Sequence, residues 1–283
     1  MKLCNIVVNN SLHLAVITER GVVDATAAGC ALTLSELIRG ADRAALESVE
    51  LDSSLPTVAK PVFGNISEPT AKLLCVGLNY RAHADGIADG VHFKSADFPI
   101  LFSKFSDSLV PSGAYIELPP WENSYDYEAE LVIVIGKETW NVSEKDAISH
   151  VFGYTCGNDI SCRAPQMRTS QWLIGKAMPG FGPCGPCITT ADCVDPAAGL
   201  SVRSYVNGEL RQDGNTRDMI FSCAKIISYA SKYIHLHPGD LIFTGTPSGV
   251  ALEQRADKRR WVEPGDRVDI CIEGIGTLTN DLM

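Results

Sequence analysis

The run Tyr125-Asp-Tyr-Glu-Ala-Glu-Leu-Val-Ile-Val-Ile-Gly136 constrains this chain more than any other stretch. Leu131 to Ile135 is an apolar, largely β-branched run closed by Gly136, the pattern of a buried strand. Glu128 and Glu130 enter it two residues apart. In a strand, residues i and i+2 share a face, so the two carboxylates stand side by side, roughly 6–7 Å apart along the backbone. Two like anions beside a hydrophobic core repel each other and lose hydration, which requires positive charge between them. Asp159, at the end of Gly153-Tyr-Thr-Cys-Gly-Asn-Asp159, is a candidate third oxygen ligand. Three carboxylates with no His or Cys at metal-ligand spacing suit a hard cation, Mg²⁺ or Mn²⁺. The spacing alone leaves a second reading open, because Glu-x-Glu on a strand is commonly a solvated face.

The chain has 283 residues, enough for one large domain or one large and one small. Its net charge of −10 argues against a nucleic-acid partner, which needs a concentrated basic surface. The one basic cluster, Arg255 to Arg260, is short and reads as a solvated loop. No segment approaches the ~20 apolar residues of a membrane span, and Met1 to Asn10 lacks the apolar core of a signal peptide. Ten cysteines without a secretory signal read as reduced thiols. The expectation is a soluble cytoplasmic protein.

Residues 1–65 read as a small N-terminal domain of short strands, with Thr33-Leu-Ser-Glu36 as a capping box and an amphipathic helix after it. Pro56 and Pro61 punctuate an extended linker. Residues 70–283 form the second unit. There Leu73 to Val76 reads as a buried strand ending at Gly77, followed by Asn79-Tyr80-Arg81-Ala82-His83 and a polar, Asp-rich loop over residues 84–97 with the composition of a lid. Asn207-Gly208 marks a hairpin, and the positions Ile220, Cys223, Ile226, Ile227, Ala230 and Ile234 carry the longest helical period. Strands dominate and helices are few and short, so the fold class is α+β, β-rich, with the main domain a roll or sandwich.

Cys184-Gly-Pro-Cys187 matches the dithiol of thioredoxin-like oxidoreductases letter for letter. That chemistry needs a thiol at a helix N-terminus. Here a β-branched run follows and no βαβ pattern surrounds the motif, so it reads as a turn. His83 follows a strand end, a place where catalytic groups sit, although a lone His is commonly structural. Lys176 reads as a surface residue or as part of a site. Arg163 and Gln166 lie near each other if residues 163–166 take a helical turn.

The ordered set Asn79-Tyr-x-x-His83, Tyr127-Glu-x-Glu130-Leu, Gly153-Tyr, Asn158-Asp159, Arg163, Gln166, Gly175-Lys176, Val206-Asn-Gly-Glu-Leu210, Gly239-Asp240, Thr244-Gly-Thr-Pro-x-Gly249 and Gly274-Ile-Gly-Thr-Leu278 resembles the fumarylacetoacetate hydrolase family, most closely its smaller members acting on acylpyruvates, oxaloacetate and related 2-oxo acids. The resemblance runs from Lys72 to the C-terminus. It implies a mixed β-sandwich roll that forms a homodimer, with Mg²⁺ or Mn²⁺ held by Glu128, Glu130 and Asp159. It places Lys176, Arg163, Gln166 and Thr246 around the substrate and makes His83 a general base on a lid. One position departs from the pattern. The family's hydrolases usually carry a Glu three residues after the His, pairing with it to activate water, and this chain has Gly86. Asp85 and Asp89 are the nearby carboxylates, and Asp85 is taken as the substitute partner.

A 2-oxo acid can chelate a cation through its carboxylate and 2-oxo oxygen, and the cation then stabilises an enolate formed at the adjacent carbon. The leading expectation is therefore metal-dependent hydrolysis of a C–C bond in a 2,4-dioxo acid, with Lys176 adding positive charge and His83 activating water. The same site without water activation gives oxaloacetate decarboxylation or keto–enol tautomerisation. A non-catalytic binder that keeps the fold is the third reading.

Overall fold

The strand Ala129–Ile135 lies in the middle of the main sheet, and all seven of its residues are buried. In the computed structural model, which describes residues 1–81 and 97–283, this strand pairs antiparallel with Val151–Asn158 on one side and Leu241–Phe243 on the other. The sheet continues beyond Leu241–Phe243 through Leu73–Gly77 to Ile100–Lys104, and in the other direction through Gly182–Thr190 to Lys2–Val8, Ser11–Thr18 and Gly21–Asp24. A second sheet of five strands runs Glu209–Asn215, Ser201–Val206, Arg267–Ile272, Gly276–Leu282 and Tyr115–Ile116. The fold is β-rich α+β, as expected. No helix among the described residues is long and apolar enough to cross a membrane.

The period-2 alternation of the central strand divides its side chains between two cores. Ala129, Leu131, Ile133 and Ile135 join Val202, Ile270 and Leu278 of the second sheet and Ile226 and Ile227 of the helix Cys223–Ser231. Val132 and Val134 face the other way, into a core shared with Leu73, Phe243 and the N-terminal Leu3, Leu14, Val16 and Leu34. Glu128 and Glu130 therefore share the face of Val132 and Val134, at the strand's opening end.

The first 65 residues form a small N-terminal β region with two short helices. Thr33 caps the helix Leu34–Ile38 with the reciprocal box to Glu36 that the sequence predicts. Its strands extend the main sheet at an edge, with Lys2 opposite Thr189 and Leu3 opposite Ile188. The Asn207-Gly208 hairpin is also present, with φ of 52° and 79° at the two turn residues.

The Cys-Gly-Pro-Cys stretch is not a turn. Cys184 and Cys187 lie inside the nine-residue strand Gly182–Thr190, all of it buried. The strand accommodates Pro186, which has no N–H to donate, where its register with Val151–Asn158 shifts between Tyr154 and Cys156. All ten cysteines are free thiols.

Candidate metal and active site

The pairing of Ala129 with Asn158 carries one step further, so that Glu128 and Asp159 face each other just past the strand ends. Asp159 N–H donates to the Glu128 carbonyl at 3.0 Å, and Glu128 N–H donates to Asn158 Oδ1 at 3.0 Å. Glu130 sits one pleat along. Oxygens of all three carboxylates lie within 4.8 Å of one another, and all three residues are buried.

The surrounding cations are placed by short helices and a strand end. Lys176 closes the helix Leu173–Lys176 and donates from Nζ to Glu128 Oε2 at 2.7 Å and to Asp159 Oδ2 at 2.8 Å. Arg163 opens the helix Arg163–Gln166 and reaches Asp126 Oδ2 and Glu128 Oε1 at 2.8 and 2.7 Å. It also donates to Gln166 Oε1 at 3.0 Å, the helical neighbour expected from the sequence. Gly175 lets the two helices pack, since a Cβ there would stand 2.4 Å from the Cys162 carbonyl oxygen and 2.5 Å from Gln166.

Sequence reasoning passed over Lys104 and Asp126. Lys104, at the end of Ile100–Lys104, is fully buried with its Nζ 2.6 Å from Asp159 Oδ1, and it donates to the carbonyls of Ile160, Lys176 and Phe181. Asp126 holds Arg163 and accepts from the N–H groups of Ala251 and Leu252.

Four buried carboxylates, Asp126, Glu128, Glu130 and Asp159, thus face three buried cations, Lys104, Arg163 and Lys176. The deficit falls on Glu130, which is 1% exposed and has no Lys or Arg within ion-pair distance among the described residues. Among the described residues, the one hydrogen bond to its carboxylate is from Gly245 N–H to Oε2 at 2.7 Å. Gly245 has φ of 96°, and a Cβ there would meet Asn79 at 2.7 Å, so a side chain would disturb this donor. Burial, then repulsion from Asp159 and Glu128, holds the Glu130 carboxyl well above the usual carboxylate range. Burial alone would lower the Lys176 ammonium, yet Asp159 and Glu128 hold it above its ordinary value, so it is a charged donor and not a base. A cluster of hard oxygen donors one positive charge short fits a divalent cation on Glu128, Glu130 and Asp159.

The pocket over these groups is walled by Val76, Leu78, Phe102, Trp172 and Leu252 and includes Gln166 and Thr246. The Thr246 hydroxyl donates to the Ala129 carbonyl at 2.9 Å and accepts from Gln212 Nε2 at 2.7 Å, so its proton is committed to the scaffold. Arg163 likewise orients Glu128 and Gln166. His83, Asp85, Gly86 and Asp89 lie outside the described residues.

A buried acidic triad with an ammonium across it is thus set at the end of the central strand of a β-rich fold. Residues 72–283 match the family described as fumarylacetoacetate (FAA) hydrolase, C-terminal. The chain belongs to the fumarylacetoacetate hydrolase family. It is 40% identical over 218 residues to oxaloacetate tautomerase YisK of Bacillus subtilis, a match covering 77% of this chain and 71% of that one. It is 38% identical over 214 residues to a mitochondrial oxaloacetate tautomerase of Xenopus laevis, covering 75% of this chain and 65% of that one, so it spans less than two thirds of that relative. Among solved structures it resembles maleylpyruvate hydrolase from Sphingobium sp. SYK-6 in complex with manganese(II) ion and pyruvate. That likeness has a TM-score of 0.78 at 31% identity and covers 100% of this chain and 99% of that one.

Proposed function

We propose that the chain catalyses keto–enol tautomerisation of a small 2-oxo dicarboxylic acid of the oxaloacetate class, supported by a divalent cation. The observation that carries this reading is the tautomerase description of relatives 38–40% identical to it. It displaces hydrolysis, the leading expectation from sequence, in favour of the alternative. Gly86 supports the change, because tautomerisation needs no activated water and so no Glu beside His83.

The reaction moves one proton between the enol oxygen at C2 and the carbon C3, with no net consumption of water. When bound, Mg²⁺ or Mn²⁺ supplies Lewis acidity at the 2-oxo acid's oxygens. Lys176, held charged at the triad, donates toward the oxygen on which negative charge grows. Arg163 fixes Glu128 and turns the Gln166 carbonyl oxygen toward itself, leaving the Gln166 amide N–H₂ as the group that can meet the substrate carboxylate. Val76, Phe102 and Trp172 wall the pocket with apolar surface. His83 carries the proton to C3 in this reading.

Purified chain with Mg²⁺ or Mn²⁺ should speed the decay of enol oxaloacetate, followed by absorbance, and Glu130→Gln should abolish the cation-dependent part. Parallel assays of acylpyruvate cleavage and pyruvate release from oxaloacetate test the competing activities. Cleavage or decarboxylation outrunning tautomerisation would overturn the proposal.

A further inference from the structure

A second group of ligating side chains lies at the opposite end of the central strand, roughly 20 Å from the acidic triad at about 3.3 Å per residue. Past Ile135 the chain turns at Gly136, and Thr139 pairs with Leu236 in an isolated antiparallel bridge with hydrogen bonds of 2.9 and 3.0 Å. Thr139 and Leu236 are fully buried, so their neighbours on both segments project outward. That register sets Glu138 opposite His237 and Trp140 opposite His235. His235 and His237, two apart on an extended segment, share a face, with ring centroids 4.5 Å apart. Glu138 stands between them, with His235 Nε2 2.8 Å from Oε2 and His237 Nδ1 2.9 Å from Oε1. The three ligand atoms lie within 4.8 Å of one another.

We infer that Glu138, His235 and His237 form a binding site for a borderline divalent cation of the Zn²⁺ class, separate from the oxygen-only site at Glu128, Glu130 and Asp159. Two imidazoles and one carboxylate make a donor set for zinc and its neighbours, whereas Mg²⁺ and Mg²⁺-like ions prefer oxygen. The backbone is fixed before any ion arrives. Thr139 and Leu236 clamp the two segments, and His237 N–H donates to Asp240 Oδ2 at 2.8 Å. Asp240 in turn accepts from Lys72 N–H at 2.7 Å. The three side chains are about half exposed, at 62%, 51% and 47%, so an ion can enter and keep solvent in its remaining positions. A bound ion would tie Thr139 to the segment that leads into Leu241–Phe243.

The test uses the full chain in excess Mg²⁺, which occupies the oxygen site, with Zn²⁺ and Co²⁺ as probes. After dialysis against limiting Zn²⁺, elemental analysis should find one zinc per chain. His235→Ala and His237→Ala should each weaken zinc by more than about tenfold, a lower bound taken from groups that only orient a ligand. Glu130→Gln should leave this zinc in place. Trp140 lies 5.7 Å from the His235 ring, so Co²⁺ should quench its emission, and Trp140→Phe should remove the quenching. Zinc should also raise the melting temperature of the parent and not that of His237→Ala. No retained zinc in excess Mg²⁺, or retention indifferent to both histidine variants, means that the cluster is only a surface ion pair.

Discussion

Lys104 and Asp159, both fully buried, meet at 2.6 Å between Nζ and Oδ1, so a metal-ligand candidate is pinned from behind by an ammonium. Breaking a buried pair by removing one partner leaves an uncompensated charge and costs about 3–5 kcal/mol. Lys104→Met should therefore lower the stability of the chelated protein by about that much in denaturant melts. A divalent cation replaces the missing charge, so saturating Mn²⁺ should recover more stability in the variant than in the parent. Unchanged midpoints in chelator would remove the pair from the account of the site.

Glu130 sets how the metal and pH act together. Its folded pKa lies above its unfolded value because of burial and its two anionic neighbours. A group shifted this way contributes stability that is fully present below its unfolded pKa, about 4, and is lost as pH rises through the folded value. In chelator, then, the protein should lose this increment as pH climbs from about 4 toward neutrality. A cation at the triad offsets the loss, so the gain in melting temperature from saturating Mg²⁺ or Mn²⁺ should grow with pH. Glu130→Gln should flatten both trends. A cation-induced gain independent of pH would show that Glu130 does not ligate.

The cysteines at 184 and 187 should be chemically quiet. Burial pushes the Cys187 thiol up to about 11 and raises Cys184 as well. In native protein at neutral pH, a thiol reagent should label exposed Cys193 quickly and leave Cys184 and Cys187 untouched until unfolding. The double Ser variant should turn over within a few-fold of the parent, though less stable, because two hydroxyls enter an apolar strand. Labelling of Cys184 at the rate of Cys193 would contradict this.

These cases show which parts of the structure local pattern could reveal. Glu128 and Glu130 were legible because the i, i+2 rule and the apolar run after them act within the eight residues from Glu128 to Ile135. Asp159 was legible only as a downstream carboxylate able to supply a third oxygen, and the strand Val151–Asn158 that delivers it was not. Lys104 was not, because a lysine after an apolar strand looks like a solvated exit. Only the packing of Ile100–Lys104 beside Leu73–Gly77 turns it inward toward Asp159. Cys184-Gly-Pro-Cys187 misled for a similar reason. Gly and Pro are turn signals, and the register shift that admits Pro186 to a strand belongs to the neighbouring strand. The alternation His235-Leu-His237 was readable, but its partner Glu138 is brought to it only by the Thr139–Leu236 bridge.

The choice between tautomerase and hydrolase turns on Gly86. A His that activates water gains from a carboxylate on its far nitrogen, which fixes the tautomer and stabilises the imidazolium. A His that moves a proton between an enol oxygen and carbon needs only reach and an available lone pair. His83→Ala should therefore slow tautomerisation by about 100-fold or more, the ordinary worth of general acid–base catalysis. Asp85→Asn and Asp89→Asn should leave it nearly unchanged. Gly86→Glu restores the residue that the resemblance places in hydrolases, and it should raise acylpyruvate cleavage from a low level without improving tautomerisation. Each variant can be read by following enol decay and diketone loss in the same cation-loaded sample. If the parent cleaves acylpyruvates efficiently and loses about 100-fold in either Asp variant, then Asp85 or Asp89 serves as the base's partner, and hydrolysis is the activity of this chain.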